Sequence, residues 1–466
     1  MGKISSFYTM PHPPIIIPEV GRGEEVKIIK TSDACEIVAK EIEITNPDTI
    51  IIITPHGPLF SDAIAISNGG FIKGNLSKFD VANIELGFEI DSDLTNMIID
   101  YAKKENIQTI KIDENSAKAY KINYELDHGS LIPLFFINKK FSRFKIVHIT
   151  FGMLPKMQLY KFGMVINKAI YDSNINAVFI ASGDLSHRLT KDGPYEYSPY
   201  GEKFDKEIVS LLSDGDVAGV FNMDYSTVEK ASECGLNSYY IMLGAMDGSN
   251  IKGKLLSYEG TFGVGYAVMS FTLEKSNLSI YLNLLEEKKN KYKAKNKNQD
   301  IYVRLAYDSL IHFLINGEYL NVPDYVNEEM KMLNRGVFVS LKKEGELRGC
   351  IGTIIPVTKN IVQEIIRNAV EAGQYDPRFN PVTENELDEI DISVDILTVP
   401  ERATKAELDE KKYGVIVKSG KKTGLLLPDL EGVNSVEQQL TIALQKAGIS
   451  ANDDYIIEKF EIVRHK

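Results

Sequence analysis

Two kinds of periodicity alternate along the first 272 residues. Short β-branched runs occur at Thr49–Thr54 (Thr-Ile-Ile-Ile-Ile-Thr), residues 144–150 and residues 177–181, each bounded by polar or turn-forming positions. Runs of this length predict strands buried on both faces. Between them, residues 92–105 and 160–174 carry apolar positions at helical spacing. Strand alternating with helix predicts an α/β domain with a largely parallel central sheet over residues 1–272.

The pattern then breaks. Residues 286–298 are rich in Lys and Asn with almost nothing to bury, so a linker is expected over residues 273–300. Beyond it, Val303, Ala306, Tyr307, Leu310, Phe313 and Leu314 recur at helical spacing. Apolar stretches at 337–341 and 347–355 flank the turn Lys343-Glu344-Gly345-Glu346, which predicts a hairpin. A helix over 360–372, a strand over 390–398, a hairpin over 414–427 and a helix over Val436–Ala447 complete a second, smaller α+β domain, residues 301–466.

Composition narrows the setting. A chain of 466 residues exceeds what one core usually supports. Its formal net charge of -12 excludes the concentrated basic face that nucleic acid requires. The three cysteines, Cys35, Cys234 and Cys350, are too scattered for a disulfide framework, and no apolar run has the length of a membrane span. A reducing cytoplasm is the expected compartment.

Histidine placement carries the candidate chemistry. His56 follows the strand ending at Thr54, and His187 follows the strand ending near Ala181, in Ser182-Gly183-Asp184-Leu185-Ser186-His187. Ligands of open α/β sheets gather beyond the carboxyl ends of strands, so these two imidazoles should meet in one crevice. His12 sits between prolines in Pro11-His12-Pro13, and His128 in the polar turn Asp127-His128-Gly129. Four histidines in such places predict a shared metal or catalytic site. His148 lies inside a strand pattern and reads as structural; His312 and His465, in the second domain, read as inert.

Taken in order, Pro11-His12-Pro13, Thr54-Pro55-His56-Gly57, Asp127-His128-Gly129 and Ser182-Gly183-Asp184-Leu185-Ser186-His187 resemble the motifs of the class III (LigB-type) extradiol dioxygenases. The resemblance implies that His12, His56 and a later carboxylate bind a divalent metal, ferrous iron above zinc or copper. It also implies that His128 and His187 act as acid/base residues toward a catechol-like small molecule. Asp184 could orient His187 if the turn after Ser182 is helical.

For the third ligand the chain offers Glu233 and Cys234 side by side, and adjacent residues cannot both face one ion. The dioxygenases use a glutamate near this point, whereas the related Memo proteins, described as lacking dioxygenase activity, use the cysteine of a Cys-Gly pair. Cys234, followed by Gly235 at an expected helix start, would be a thiolate of depressed pKa.

In the second domain, Leu347-Arg348-Gly349-Cys350-Ile351-Gly352 and Asp376-Pro377-Arg378-Phe379 are similar to the AMMECR family. Arg348, Cys350 and Arg378 could form an anion-binding, thiol-containing pocket; the alternative is that Cys350 packs in a strand and Arg348 pairs with a carboxylate. The two-domain pairing resembles the fusions of the so-called AmmeMemoRadiSam system. That implies a radical SAM protein as partner beside the small-molecule substrate, with a second copy of the chain also a candidate. Three functions stand at this point: an extradiol-type oxidoreductase, a metal-binding accessory protein, and metal-assisted hydrolysis on the same scaffold.

Overall fold

A computed structural model describes the chain except residues 277, 296–299, 344, 384–385, 388–389 and 431. The chain divides into two compact units, Met1–Lys291 and Tyr292–Lys466.

Among the described residues the first unit contains ten strands: β1 (Lys3–Met10), β2 (Thr49–Thr54), β3 (Ile64–Ser67), β4 (Phe71–Leu76), β5 (Val81–Glu89), β6 (Thr109–Ile112), β7 (Lys145–Thr150), β8 (Asn176–Ser182), β9 (Ser249–Glu259) and β10 (Tyr266–Lys275). Eight of them form one sheet in the order β6-β3-β7-β2-β8-β1-β10-β9. The four central strands, β7, β2, β8 and β1, run parallel. β4 and β5 form a separate two-stranded ribbon.

The all-isoleucine centre of β2 explains its position. Ile51 and Ile53 enter one core with the helices Lys156–Tyr171 and Leu236–Ala245, while Ile50 and Ile52 enter another with the helices Ile29–Thr45 and His128–Lys140. Alternate residues of a strand point to opposite faces, so a strand covered on both sides must be apolar throughout. The parallel strands end together, which brings the residues after Met10, Thr54 and Ser182 to one rim.

The expected linker over 273–300 is corrected in part. Residues 273–275 belong to β10, and Ile280–Lys295 is helical. Ile280, Tyr281, Leu284 and Leu285, one helical stripe just ahead of the lysine-rich run, pack onto the first core. Residues 296–299 lie outside the described residues.

Among the described residues the second unit has two four-stranded antiparallel sheets. Strands β11 (Val337–Lys343), β12 (Glu346–Gly352), β13 (Ile390–Leu397) and β18 (Ile462–His465) form one, ordered β12-β11-β13-β18. Strands β14 (Glu401–Arg402), β15 (Gly414–Ser419), β16 (Lys422–Leu426) and β17 (Ile456–Phe460) form the other, ordered β14-β17-β15-β16. The helices Ile301–Asn316 and Ile361–Gln374 cover the first sheet, as the α+β pattern predicts. The β11–β12 hairpin forms, although Glu344 of its turn lies outside the described residues. Among the described residues no helix is long and apolar enough to cross a membrane.

Candidate metal centre

The site is built around one imidazole. His12, two residues past β1, is 1% exposed, and its backbone N–H donates to Asp184 Oδ1 at 2.8 Å. Its Nδ1 lies 2.9 Å from Ser182 Oγ, and that hydroxyl lies 2.5 Å from the carbonyl of Gly129. A carbonyl only accepts, so the single hydroxyl proton goes to Gly129 and Ser182 Oγ must accept from His12 Nδ1–H. The tautomer follows: Nε2 carries the free lone pair.

Other donors converge on that lone pair. His56 Nε2 lies 3.0 Å from His12 Nε2, Cys234 Sγ 3.7 Å and Asp184 Oδ2 3.8 Å. Donors bound to one ion at about 2.0–2.3 Å are themselves about 2.8–3.8 Å apart, from cis octahedral to tetrahedral geometry, so this spacing fits a single ion. Two overlapping sets of donor atoms each lie within 4.8 Å: His12, His56 and His128, and His12, Asp184 and Cys234. The His56 and His128 rings stack at 4.2 Å, and both meet the His12 ring nearly edge-on.

Electrostatics keep the imidazoles available as lone-pair donors. Burial holds His12 well below the ordinary histidine range and pushes His128 down to about 3, with neighbouring imidazoles adding to both shifts. Burial also raises the Asp184 carboxyl to about 6. Behind that loop, Asp205 accepts from Ser186 N and from the Tyr258 hydroxyl, each at 2.8 Å, and burial raises its carboxyl to about 7.

One carboxylate braces two of the histidines. Asp127 Oδ1 accepts from Thr54 Oγ1 at 2.5 Å and from Ser130 N at 3.2 Å, capping the helix that His128 opens. Thr54 Oγ1 in turn receives the backbone N–H of His56 at 3.3 Å. His148, in β7, points Nε2 at Ser130 Oγ (2.9 Å) and Asp127 Oδ2 (3.3 Å), while its Nδ1 meets Ser67 Oγ at 2.8 Å. It stands behind the cluster, as its strand position predicts.

Two expectations change here. The segment after Ser182 is not helical, so Asp184 does not share a helix face with His187; its carboxylate is held against His12 instead. Cys234 is not a thiolate of depressed pKa, because burial and the neighbouring Asp184 charge drive its thiol upward. The helix end that would have favoured the anion is already engaged: Glu233 Oε2 accepts from Leu236 N at 2.6 Å. Burial raises the Glu233 carboxyl to about 7. Of the adjacent pair, the thiol therefore faces the cluster and the carboxylate caps the Leu236–Ala245 helix.

The two loops meet through glycines. A Cβ on Gly183 would fall 2.1 Å from Gly235 Cα, so Asp184 and Cys234 can be neighbours only with bare backbone at that crossing. His187 stands outside the ligating sets. Its ring stacks on Tyr195 at 5.2 Å, and burial lowers its pKa. Nearby, a cavity of about 460 Å³ is lined by Ile15, Thr190, Asp192, Phe262, Val264 and Tyr266. Leu185 N donates to Gly265 O and Gly265 N to Ser186 O, each at 2.8 Å, which ties the Val264 and Tyr266 wall of this cavity to the loop that carries Asp184 and His187.

Sequence reasoning missed Ser182, Asp127 and Thr54 as the parts that orient the donors. Ser182 stands in a motif already singled out, but its role depends on β8 lying beside β1.

In the second domain the structure brings Arg378 to Cys350, whose carbonyl accepts from Nη2 at 3.1 Å, and both arginines are already paired. Arg348 is paired bidentately with Glu386 (2.8 and 3.2 Å), and Arg378 with Asp376 (2.6 and 2.9 Å). The two guanidinium groups are thus neutralised by different carboxylates. Cys350 Sγ accepts from Ser340 Oγ at 3.2 Å, and burial raises its thiol pKa.

Comparison with known proteins agrees with this architecture. Residues 6–269 match the family described as the catalytic LigB subunit of aromatic ring-opening dioxygenase, and residues 303–466 match AMMECR1. A Clostridium acetobutylicum protein is 53% identical over 465 residues, covering 100% of this chain and 99% of its own. A Thermotoga maritima protein is 47% identical over 168 residues, 35% of this chain and 97% of its own. The solved structure of an uncharacterized Pyrococcus horikoshii protein aligns at 29% identity and a TM-score of 0.34, over 36% of this chain and 89% of its own. The chain belongs to the family of the catalytic LigB subunit of aromatic ring-opening dioxygenases, with an AMMECR1 domain following the LigB-type domain.

Proposed function

We propose that the first domain is a metal-dependent oxidoreductase of the extradiol ring-opening type, acting on a catechol-like small molecule with ferrous iron. The observation that carries this reading is the convergence of His56, Cys234 and Asp184 on the unprotonated Nε2 of His12. His12, His56 and Cys234 would hold the ion, with Asp184 and His128 within the same reach. When bound, such an ion supplies a Lewis-acidic centre with positions open to substrate and oxygen.

The chain's own residues would do the rest. Ile15, Phe262 and Val264 wall the adjoining cavity for an aromatic ring. His187, lowered in pKa and stacked on Tyr195, is a neutral base at pH 7 placed to accept a phenolic proton. His128, neutral down to about pH 3, serves as a lone-pair or hydrogen-bond partner rather than a proton store.

A second reading has its own support. A thiol in the cluster suits zinc or cuprous copper better than iron, and the carboxylate next to it in sequence, Glu233, is spent on a helix cap. That favours a metal-binding accessory protein without turnover, acting in the cytoplasm beside a radical SAM protein. Anaerobic reconstitution with ferrous iron, then oxygen uptake over a catechol panel, separates the two. The first reading expects uptake proportional to bound iron, reduced by His187→Ala with iron retained. Stoichiometric iron with no uptake above the substrate-free control refutes it in favour of the second.

A further inference from the structure

Away from the metal centre, a cavity of about 620 Å³ opens between the helices Ser92–Lys104 and Lys156–Tyr171, the end of Leu236–Ala245 and the start of Ile280–Lys295. Gly244 lines it, whereas Cys234 precedes the other end of the same helix. Ten helical residues rise about 15 Å, so cavity and metal cluster are separate sites. The volume lies within the range of small-molecule pockets, about 300–1,000 Å³.

The lining has a definite chemistry. Tyr101, Tyr171 and Tyr281 contribute aromatic rings, and Met164 and Val165 contribute apolar floor. The Tyr281 ring is held parallel to the buried Tyr160 ring, 6.2 Å away. Most of the charge around the cavity is already committed. Lys161 pairs with Glu105 at 3.0 Å and Lys168 with Asp172 at 3.1 Å. The Asp247 carboxylate accepts from the Tyr160 hydroxyl (2.8 Å), Ser279 Oγ (2.7 Å) and Tyr281 N (3.1 Å). Lys104 is different: among the described residues its ammonium has no carboxylate partner and lies 4.8 Å from the Tyr101 ring centroid. What the cavity offers a ligand is therefore aromatic surface and one uncommitted positive charge.

We propose that this cavity is a second small-molecule site, which takes a flat aromatic monoanion with its ring against the tyrosines and its acid group at Lys104. The rings supply stacking and apolar burial, and the ammonium selects the anion over its neutral isostere. One side of the cavity is fixed: a Cβ on Gly244 would fall 1.8 Å from the Tyr160 carbonyl oxygen, so two of the four helices meet backbone to backbone.

The test is calorimetric titration of the full-length protein with 2-naphthoate and, separately, with neutral 2-naphthamide. The expected result is saturable one-site binding of naphthoate. Lys104→Gln should weaken it by about two- to fivefold, the range of an exposed ion pair, and leave naphthamide unchanged. Met164→Trp, which fills the cavity, should abolish binding of both. Tyr171→Ala, at a 54% exposed position, should weaken both. His12→Ala should change neither. Absence of saturable binding by the wild type overturns the proposal, as does equal naphthoate affinity in wild type and Lys104→Gln. Loss of binding in His12→Ala with retention in Met164→Trp would place the ligand at the metal centre instead, and also overturns it.

Discussion

Replacing Ser182 by alanine removes the group that assigns the His12 tautomer. The hydroxyl accepts from His12 Nδ1–H at 2.9 Å and donates to Gly129 O at 2.5 Å, and Ser182 is fully buried. Without it, two buried polar groups lose their partner at about 1–3 kcal/mol each, so the folded state should lose about 2–6 kcal/mol. The metal effect is distinct from that loss. An imidazole deprived of its outer hydrogen bond is free to carry its proton on Nε2, the atom facing His56 and Cys234. Loss of such a partner typically lowers metal affinity about 10- to 100-fold. Calorimetric titration with zinc reads affinity, and urea unfolding of the metal-free protein reads stability. Ser67→Ala is the control, because Ser67 makes a 2.8 Å bond to the imidazole of His148, behind the cluster. It should cost comparable stability while leaving zinc affinity within about threefold, a shift well under 1 kcal/mol. If Ser182→Ala binds zinc like the wild type, or Ser67→Ala weakens binding equally, the tautomer argument is wrong.

Three further outcomes are expected. Cys234→Ala should weaken metal binding more than Glu233→Gln, and the proton released per zinc bound at pH 7.5 should disappear in the cysteine variant alone, because a protonated thiol must ionise to ligate; the reverse ranking would make Glu233 the donor. Asp205, raised by burial to about 7 from 3.8, binds a proton in the folded state at pH values where the unfolded chain does not. Wild type should therefore gain stability over Asp205→Asn as pH falls from 8 to 5, by at most about 1.4 kcal/mol per pH unit; urea midpoints whose difference is independent of pH would contradict this. Arg348→Ala leaves the largely buried Glu386 without its ion pair and should cost about 2–4 kcal/mol in the second unit, with zinc affinity unchanged; a thermal melt that does not move would refute the pairing.

How far the sequence was legible depends on which residues had to speak to each other. β2 was readable because four consecutive isoleucines fit only a strand covered on both faces. His56 and His187 were readable because strand ends in a parallel sheet share a rim, and His12 because the prolines on either side of it set it in a turn. The aim of Asp184 was not, since it depends on a non-helical loop and on β1 lying beside β8 across about 170 residues of chain. Adjacency told that Glu233 and Cys234 could not both face an ion, but only the hydrogen bond to Leu236 N decides which one turns away. The partner of Arg348 lies 38 residues downstream, beyond any local pattern. The linker was overextended for a simpler reason: the lysine-rich run masked the apolar stripe from Ile280 to Leu285 immediately before it.

The gathering of donors from distant segments has a consequence for the order of events during synthesis. His12 and Cys234 face each other across 222 residues, and the loops that carry Asp184 and Cys234 are tied by the hydrogen bond from Cys234 N to Asp184 O at 3.3 Å beside the Gly183–Gly235 crossing. A ribosome-bound chain lacking residue 235 holds the first three histidines but cannot close the second donor set. Ion capture at full affinity is therefore a late event that follows synthesis of all four central parallel strands, the last of which ends at Ser182. A tightly held ion also favours the finished domain over partly assembled ones by mass action. Metal starvation should therefore show first as a shortage of mature protein, with immature chains lost to proteolysis, rather than as a pool of intact empty molecules.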